Sequence, residues 1–138
     1  MATINPYLSF NGNCEGAFKF YKSIFGGEFE YIDRYKDMPG EQSVPDTEKE
    51  KIMHVSLPIG GNTVLMGADS SEYFGVVTKF GDNISLSIST EKEEDAKRIF
   101  KALSEGGKIL MPLEKTFWST LFGHVVDKFG IYWMVNYN

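Results

Sequence analysis

The sequence lacks features that several large classes of protein require. It contains one cysteine, Cys14, among 138 residues, which excludes an internal disulfide and a zinc site built from several cysteines. Basic residues are in the minority, with 14 Lys and Arg against 19 Asp and Glu and a formal net charge of -5. Because nucleic-acid binding needs a clustered basic surface, we expect no nucleic-acid partner.

Long apolar runs are also absent. No segment approaches the roughly 20 apolar residues that cross a bilayer, and residues 1–11 lack the basic and apolar regions of a secretion signal. We therefore expect no membrane partner and a cytoplasmic location. The 42 % hydrophobic and 14 % aromatic content suffices for one core in a chain of 138 residues. This predicts a single domain over residues 1–138, or two small halves that share a core.

Two segments place apolar residues at i, i+3, i+4 and i+7, which predicts one buried face on each of two helices. These residues are Ala17, Phe20, Tyr21 and Ile24 in the first segment and Ala96, Ile99, Phe100 and Leu103 in the second. Each segment ends in a glycine pair, at 26–27 and 106–107, and glycine readily takes the conformation that ends a helix. Thr90 and Glu93 have the spacing of a capping box at the start of the second helix.

Around these helices the apolar period changes to two, which is typical of strands. The candidate strands are residues 7–10, 29–35, 52–59 and 63–68 in the first half and 84–88, 108–113, 121–126 and 131–137 in the second. Turn residues at 60–62 and 128–130 separate the last two strands of each half. The sequence therefore predicts an α+β fold of two tandem βαβββ modules, an internal repeat of about half the chain.

Two irregular stretches separate these elements. Residues 36–51 form a charged segment with proline and glycine, which predicts a long loop between strands. Residues 69–82 connect the modules and carry Tyr73, Phe74 and Phe80, so this linker is expected to pack on other residues. The predicted boundaries are 1–68 for the first module, 69–82 for the linker and 83–138 for the second module.

Strand alternation distinguishes the two faces of each predicted sheet. One helix covers only one face, which leaves the other open. In the strand at 52–59, the helix-facing set is Met53, Val55, Leu57 and Ile59, and the open-face set is Ile52, His54 and Ser56. In the last strand, the helix-facing set is Trp133 and Val135, and the open-face set is Tyr132, Met134 and Asn136. Two such open faces curving together would form a cleft.

Three segments of the chain resemble a known family. These are PYLSFNGNCEGAFKFYKSIFGGE, NTVLMGAD and FWSTLFGHVVDKFGIYW, and the most specific positions are Trp118, Gly123, Asp127, Phe129, Gly130 and Trp133. With the tandem βαβββ pattern, they resemble the PhnB-like branch of the glyoxalase/bleomycin-resistance/dioxygenase, or vicinal oxygen chelate, superfamily. This resemblance implies modules that form a cupped mixed sheet around a central cleft, usually in a homodimer.

The same resemblance predicts where a metal would bind. Enzymes of the superfamily hold a divalent metal with side chains from the first and last strands of each module, and these positions correspond here to Pro6, Leu65, Asn83 and Met134. None of these residues is a histidine or carboxylate, the donors that such a site needs. The neighbouring positions, Tyr7, Met66, Ile84 and Val135, offer no better set. We therefore expect no metal site and no cofactor.

Six residues form the predicted ligand-binding set: His54, Asn83, Phe117, Trp118, Tyr132 and Met134. His54 could orient a polar ligand or act as an acid or base, or it could be a structural histidine. The aromatic residues and Met134 suit a planar or apolar small molecule. Trp118 could instead close the core or a dimer interface, whereas Trp133 is assigned to the core. His54 and His124, on corresponding strands, could together form a two-histidine site.

Two further possibilities receive little support from the residues. Cys14 lies at the start of the first helix, where the helix dipole could lower the pKa of its thiol, but no histidine or asparagine can be linked to it by sequence. Some members of the family are described as demethylubiquinone methyltransferases. A methyltransferase would be expected to carry glycines before a helix, and the glycine pairs here follow the helices.

These observations favour metal-independent binding of a small molecule, with any catalytic residues unknown. One alternative is a metal-dependent lyase, isomerase or dioxygenase that uses unexpected ligands such as His54 and His124. Another is a structural or regulatory dimer without a ligand. The scaffold does not choose among them, because function resides in the site.

Overall fold

Each half of the chain folds around one α-helix that packs on a four-stranded sheet. The computed structural model describes residues 1–38 and 44–138, and these divide into two units, Met1–Lys79 and Phe80–Asn138. The first unit contains β1 (Tyr7–Phe10), α1 (Cys14–Phe25), β2 (Tyr31–Arg34), β3 (Ile52–Gly60) and β4 (Thr63–Asp69). The second contains β5 (Leu86–Thr90), α2 (Glu93–Ser104), β6 (Lys108–Glu114), β7 (Leu121–Val126) and β8 (Tyr132–Tyr137). The predicted α+β fold with two βαβββ modules is confirmed.

The two sheets are mixed and have the same topology. Their strand orders are β1-β4-β3-β2 and β5-β8-β7-β6. In each sheet the first and last strands of the unit pair in parallel, and the other neighbours are antiparallel. The strand predicted at 84–88 lies instead at Leu86–Thr90, and that predicted at 29–35 shortens to Tyr31–Arg34. Across the described residues, neither helix has the length and apolar character needed to cross a membrane.

The buried face of α1 differs in one residue from the predicted face. Ala17, Tyr21 and Ile24 are buried as predicted, but Phe18 is fully buried where Phe20 was expected, and Phe20 is only half-buried. A glycine in the sheet makes room for the Phe18 ring. A Cβ at Gly67 on β4 would lie 2.6 Å from that ring, closer than carbon atoms can pack.

All four residues predicted for the buried face of α2 are buried. A glycine on β7 makes room for the Phe100 ring of this helix, because a Cβ at Gly123 would lie 2.5 Å from that ring. The predicted capping box is wrong. The helix begins after Lys92, and the Thr90 hydroxyl donates to the Lys92 carbonyl over 3.0 Å instead of accepting from an early helix amide.

Alternation along β3 holds except at its start. Val55 and Leu57 are buried as predicted. Ile52 was expected on the open face, yet it is fully buried, because the pairing with β2 shifts between Asp33, opposite His54, and Arg34, opposite Ile52. Such an irregularity reverses the alternation on one side of it. The prediction for Ile52 is therefore wrong.

The two irregular stretches carry local structure. Short 3-10 helices occupy Tyr35–Asp37 and Glu72–Phe74. The Phe74 ring stacks on Tyr35 with centroids 4.5 Å apart, and Phe80 lies where a Cβ at Gly130 would approach within 2.9 Å. The aromatic residues of 69–82 therefore pack within each unit. Residues 39–43 of the loop predicted at 36–51 lie outside the described residues.

A charged pair joins α1 to β2 in the first unit. Both Nη atoms of Arg34 donate to the Glu15 carboxylate, over 3.0 and 2.7 Å. The Arg34 hydrogen bonds, followed by those from Lys19, lower the pKa of Glu15 to about 2. Hydrogen bonds from Ser71 and then Lys51 lower the pKa of Glu48 to about 2 in the same way.

We expect the free energy of unfolding to fall on acidification. Because both carboxylates have lowered pKa values, they stabilise the folded state above the ordinary value of 4.5 and lose this effect as the pH falls towards 2. Urea unfolding of Glu15→Gln should show a weaker pH dependence and a loss of about 1 kcal/mol or less at neutral pH. Glu94→Gln, on the exposed face of α2, is the control and should unfold like the native chain at every pH. An unchanged pH dependence in Glu15→Gln would contradict the expectation.

Candidate functional site

The open face of the first sheet brings an aromatic cluster together across its strands. Tyr7 on β1 lies opposite Met66 on β4. Met66 also lies opposite Ser56 on β3, and Ser56 lies opposite Tyr31 on β2. Directly opposed residues point to the same face of a sheet. His54 precedes Ser56 by two positions on β3 and so shares this face, as predicted from the alternation.

His54 is held between two tyrosine hydroxyls. The Tyr7 hydroxyl lies 3.2 Å from Nδ1 of His54, and the Tyr31 hydroxyl lies 2.9 Å from Nε2. The imidazole makes an angle of 31° with the Tyr7 ring and 26° with the Tyr31 ring, at centroid distances of 5.5 and 5.0 Å. We call these three residues the tyrosine–histidine shelf.

The shelf combines accessible ring surface with one available polar proton. Tyr7 is 50 % exposed and Tyr31 is 43 % exposed. A neutral imidazole has one donor and one acceptor nitrogen, so one tyrosine donates to His54 and the other accepts from it. The accepting tyrosine keeps its own proton for a ligand. Burial, followed by the nearby Cys14 and Tyr31, raises the pKa of Tyr7, which favours the protonated hydroxyl.

The open face of the second sheet carries Tyr132 and Met134, as predicted from the alternation. Met134 lies directly opposite His124 on β7, and the rings of His124 and Tyr132 are 6.0 Å apart. Nε2 of His124 lies 3.1 Å from the Ser85 hydroxyl. His124 faces Met134 as Ser56 faces Met66 in the first unit. His54 and His124 therefore occupy corresponding strands but different positions along them.

The other predicted residues of the second unit lie in loops. Phe117 is 97 % exposed and Trp118 is 49 % exposed, and their rings meet edge to face at 4.7 Å. Trp118 also packs against Phe122 at 5.5 Å. Its exposure argues against the alternative that Trp118 closes the core, whereas Trp133 is buried as predicted. Asn83 is exposed, ahead of β5.

Sequence reasoning missed both tyrosines of the shelf and a polar groove in the first unit. The groove has a volume of about 420 Å³, and its lining residues include Asn11, Glu48, Lys51, Ser70 and Ser71. Most of these polar groups bond to one another: Glu48 accepts from Ser71 and from Lys51, and the Ser70 hydroxyl meets Thr78 at 2.6 Å. The groove residues come from separate loops and strand ends, and the apolar periodicity of the sequence does not predict that such residues meet.

The side chains at the family's metal positions do not fit a metal. Leu65 is fully buried and its neighbour Met66 occupies the open face, so the position assigned to Leu65 is wrong by one residue. The set then holds proline, two thioethers and one amide, at Pro6, Met66, Met134 and Asn83, whereas catalytic sites use imidazole and carboxylate donors. Within residues 1–38 and 44–138, no three His, Cys, Asp or Glu side chains are grouped so that they could hold a metal ion.

Cys14 is a core residue with an unreactive thiol. It is fully buried, and burial, followed by the Asp69 and Glu15 carboxylates, raises the pKa of its thiol. The possibility that the helix dipole lowers this pKa is therefore wrong, because desolvation of the thiolate outweighs it.

Solved structures share the fold of this chain. A glyoxalase-related enzyme from Fulvimarina pelagi matches with a TM-score of 0.62 at 18 % identity, covering 100 % of this chain and 89 % of that one. At this identity the likeness concerns the fold. The tandem βαβββ units therefore give this chain the fold of a glyoxalase-related enzyme.

Nearer relatives identify the family. Protein PA1353 from Pseudomonas aeruginosa is 38 % identical with a TM-score of 0.88, covering 100 % of this chain and 98 % of that one. A putative 3-demethylubiquinone-9 3-methyltransferase, PhnB protein, from Bacillus cereus is 31 % identical with a TM-score of 0.79, covering 99 % of this chain and 100 % of that one. A family model described as 3-demethylubiquinone-9 3-methyltransferase matches residues 2–136. The chain belongs to this PhnB-like family.

Proposed function

We propose that the protein binds a planar small molecule on the tyrosine–histidine shelf. The observation that carries the proposal is the placement of His54 between the hydroxyls of Tyr7 and Tyr31. The His54 ring, inclined by 31° and 26° to the two tyrosine rings, forms with them a surface on which a planar ligand can stack. The available tyrosine proton can bond to a ligand acceptor. Apolar walls with a few polar groups are typical of small-molecule sites.

The second unit carries the other residues that the sequence predicts to bind a ligand. Phe117, Trp118, Tyr132 and Met134 present aromatic and polarisable surface that suits the same chemical class of ligand, and Asn83 adds an amide. Trp118 is the member whose exposed ring makes it the best test. A homodimer and a cytoplasmic location, as the family resemblance and the composition predict, belong to the same proposal.

The residues favour binding without a metal and without methyl transfer. The family's metal positions hold Pro6, Met66, Asn83 and Met134, and none of these side chains is an imidazole or a carboxylate. The turn before α1 contains one glycine, Gly12, and its amide donates to the buried Asp69 carboxylate over 2.8 Å. The Cys14 amide donates to the same oxygen over 3.0 Å. Because Asp69 already occupies these donors, this helix start is a poor site for the cofactor phosphates or carboxylates that such turns bind.

Quinoline, a planar ring system with one acceptor nitrogen, is a suitable probe. We expect a titration followed by amide chemical shifts to perturb β1, β2 and β3. His54→Ala should weaken binding about tenfold, since it removes the central ring and both hydrogen bonds. His124→Ala, the same change in the second unit, is the matched control for an effect on the shelf.

The outcomes separate the site assignments. Weakening by His54→Ala and not by His124→Ala supports the shelf. Loss of binding in Trp118→Ala alone would move the site to the second unit. Unchanged binding of quinoline in both His54→Ala and Trp118→Ala would overturn the assignment of the site. If neither quinoline nor a charged planar ring binds, the proposal fails and a dimer without a ligand is favoured.

A further inference from the structure

Two carboxylates flank the tyrosine–histidine shelf on the open face. Asp33 on β2 is the direct cross-strand partner of His54. Glu30 lies just before β2, and its carboxylate accepts from the Ser56 hydroxyl over 3.1 Å. Ser56 is the direct partner of Tyr31, so Glu30 reaches the same face. The shelf therefore has an acidic side chain beside its imidazole and another beside one of its tyrosines.

The basic residues next to these strands are engaged elsewhere. Arg34 follows Asp33 in the chain, but its guanidinium bonds to Glu15 on α1 over 3.0 and 2.7 Å. Lys51 precedes β3 and pairs with Glu48 at 2.9 Å. Both cations thus have carboxylate partners of their own, away from Asp33 and Glu30.

We propose that the ligand of the shelf is an organic cation: a planar aromatic ring that carries a quaternary or protonated nitrogen. This inference rests on the function proposed above and adds the charge of the ligand. Tyrosine faces attract a cation through their ring quadrupole, and a ligand seated on the shelf lies close to the Asp33 carboxylate. The rings recognise the planar part, and the carboxylates recognise the charge.

Alternative ligand charges fit the face less well. An anionic ring would approach Asp33 and Glu30 against like charge, which is unfavourable at short range. A neutral ring with an acceptor nitrogen would stack on the shelf and accept the tyrosine proton, but it would gain nothing from either carboxylate. The shelf therefore discriminates by charge as well as by shape.

Three probes of similar shape test the proposal on the full chain: N-methylquinolinium as the cation, quinoline as the neutral ring and 2-naphthoate as the anion. At a slightly alkaline pH, where quinoline is uncharged, we expect the cation to bind about threefold to tenfold more tightly than quinoline. The anion should bind most weakly. Calorimetry measures all three affinities under one condition.

Two variants locate the source of this preference. Asp33→Asn should weaken N-methylquinolinium binding about fivefold and leave quinoline unchanged, and Glu30→Gln should have a smaller effect in the same direction. Asp46→Asn makes the same chemical change in an exposed loop residue that pairs with Lys49. It alters the net charge equally and should leave the affinity for the cation unchanged.

Each result decides between the two proposals. If quinoline binds the shelf but the cation has no advantage, or if Asp33→Asn and Asp46→Asn act equally, the charge assignment is overturned and the binding function stands. If none of the three probes binds, both proposals fail. A cation preference that Asp33→Asn removes and Asp46→Asn does not establishes the site as one for organic cations.

Discussion

Asp127→Ala is expected to destabilise the second unit by about 3 kcal/mol, because it leaves one buried and two part-buried donors without an acceptor. The carboxylate is 3 % exposed. One oxygen accepts from the amides of Phe129 and Ile131, over 2.8 and 3.1 Å, and the other accepts from the indole of Trp133 over 2.8 Å. These bonds close the turn between β7 and β8 and fix the largest buried ring. Urea unfolding followed by circular dichroism and tryptophan fluorescence measures the loss.

Two further variants test this explanation. Asp127→Asn preserves the shape but replaces one acceptor oxygen with a donor, so its stability should fall between the native and alanine forms. Asp82→Ala removes an exposed carboxylate from the same unit and should change stability by no more than about 0.5 kcal/mol. A native midpoint for Asp127→Ala would show that the three donors find other partners.

Asp69→Ala should destabilise the first unit to a similar extent, also by about 3 kcal/mol. Asp69 ends β4 and is 2 % exposed. Its carboxylate accepts from the amides of Gly12, Cys14 and Ile52 over 2.8, 3.0 and 2.9 Å. One side chain thus joins the end of β4 to the start of α1 and the start of β3. Denaturant unfolding gives the magnitude of the effect.

Amide hydrogen exchange tests the location of the Asp69 effect. In Asp69→Ala, the amides of Gly12, Cys14 and Ile52 should exchange faster, since each loses its acceptor. Asp46→Ala, in an exposed loop of the same unit, should leave these three amides protected. If exchange in Asp69→Ala accelerates by the same factor at these three amides as in the rest of the chain, the loss of these hydrogen bonds does not explain the destabilisation.

Local periodicity predicted most of the fold because the helices and strands here are amphipathic. The apolar spacing of α2 identified all four of its buried residues, and β7 was predicted with its observed bounds. The errors arise where tertiary contacts decide. Phe18 is buried in place of Phe20 because Gly67, distant in the chain, leaves space for its ring. Ile52 is buried because its pairing with β2 is irregular.

The candidate site was only half predictable for a related reason. Strand alternation placed His54 on the open face, but its two partners are Tyr7 and Tyr31, which lie 47 and 23 residues away in sequence. Their meeting depends on the strand order β1-β4-β3-β2, which residue spacing does not specify. For the same reason the sequence analysis assigned the metal position to Leu65 instead of Met66. An error of one residue exchanges the two faces of a strand.

The spaces that receive Phe18 and Phe100 have a consequence for the repeat itself. Gly67 lies on the last strand of its unit, whereas Gly123 lies on the strand before the last. A transplanted α2 would therefore place its aromatic ring over the wrong strand of the first sheet, where a side chain fills the gap. The halves therefore share a topology, but their helices are not interchangeable, because each is fitted to a space in its own sheet.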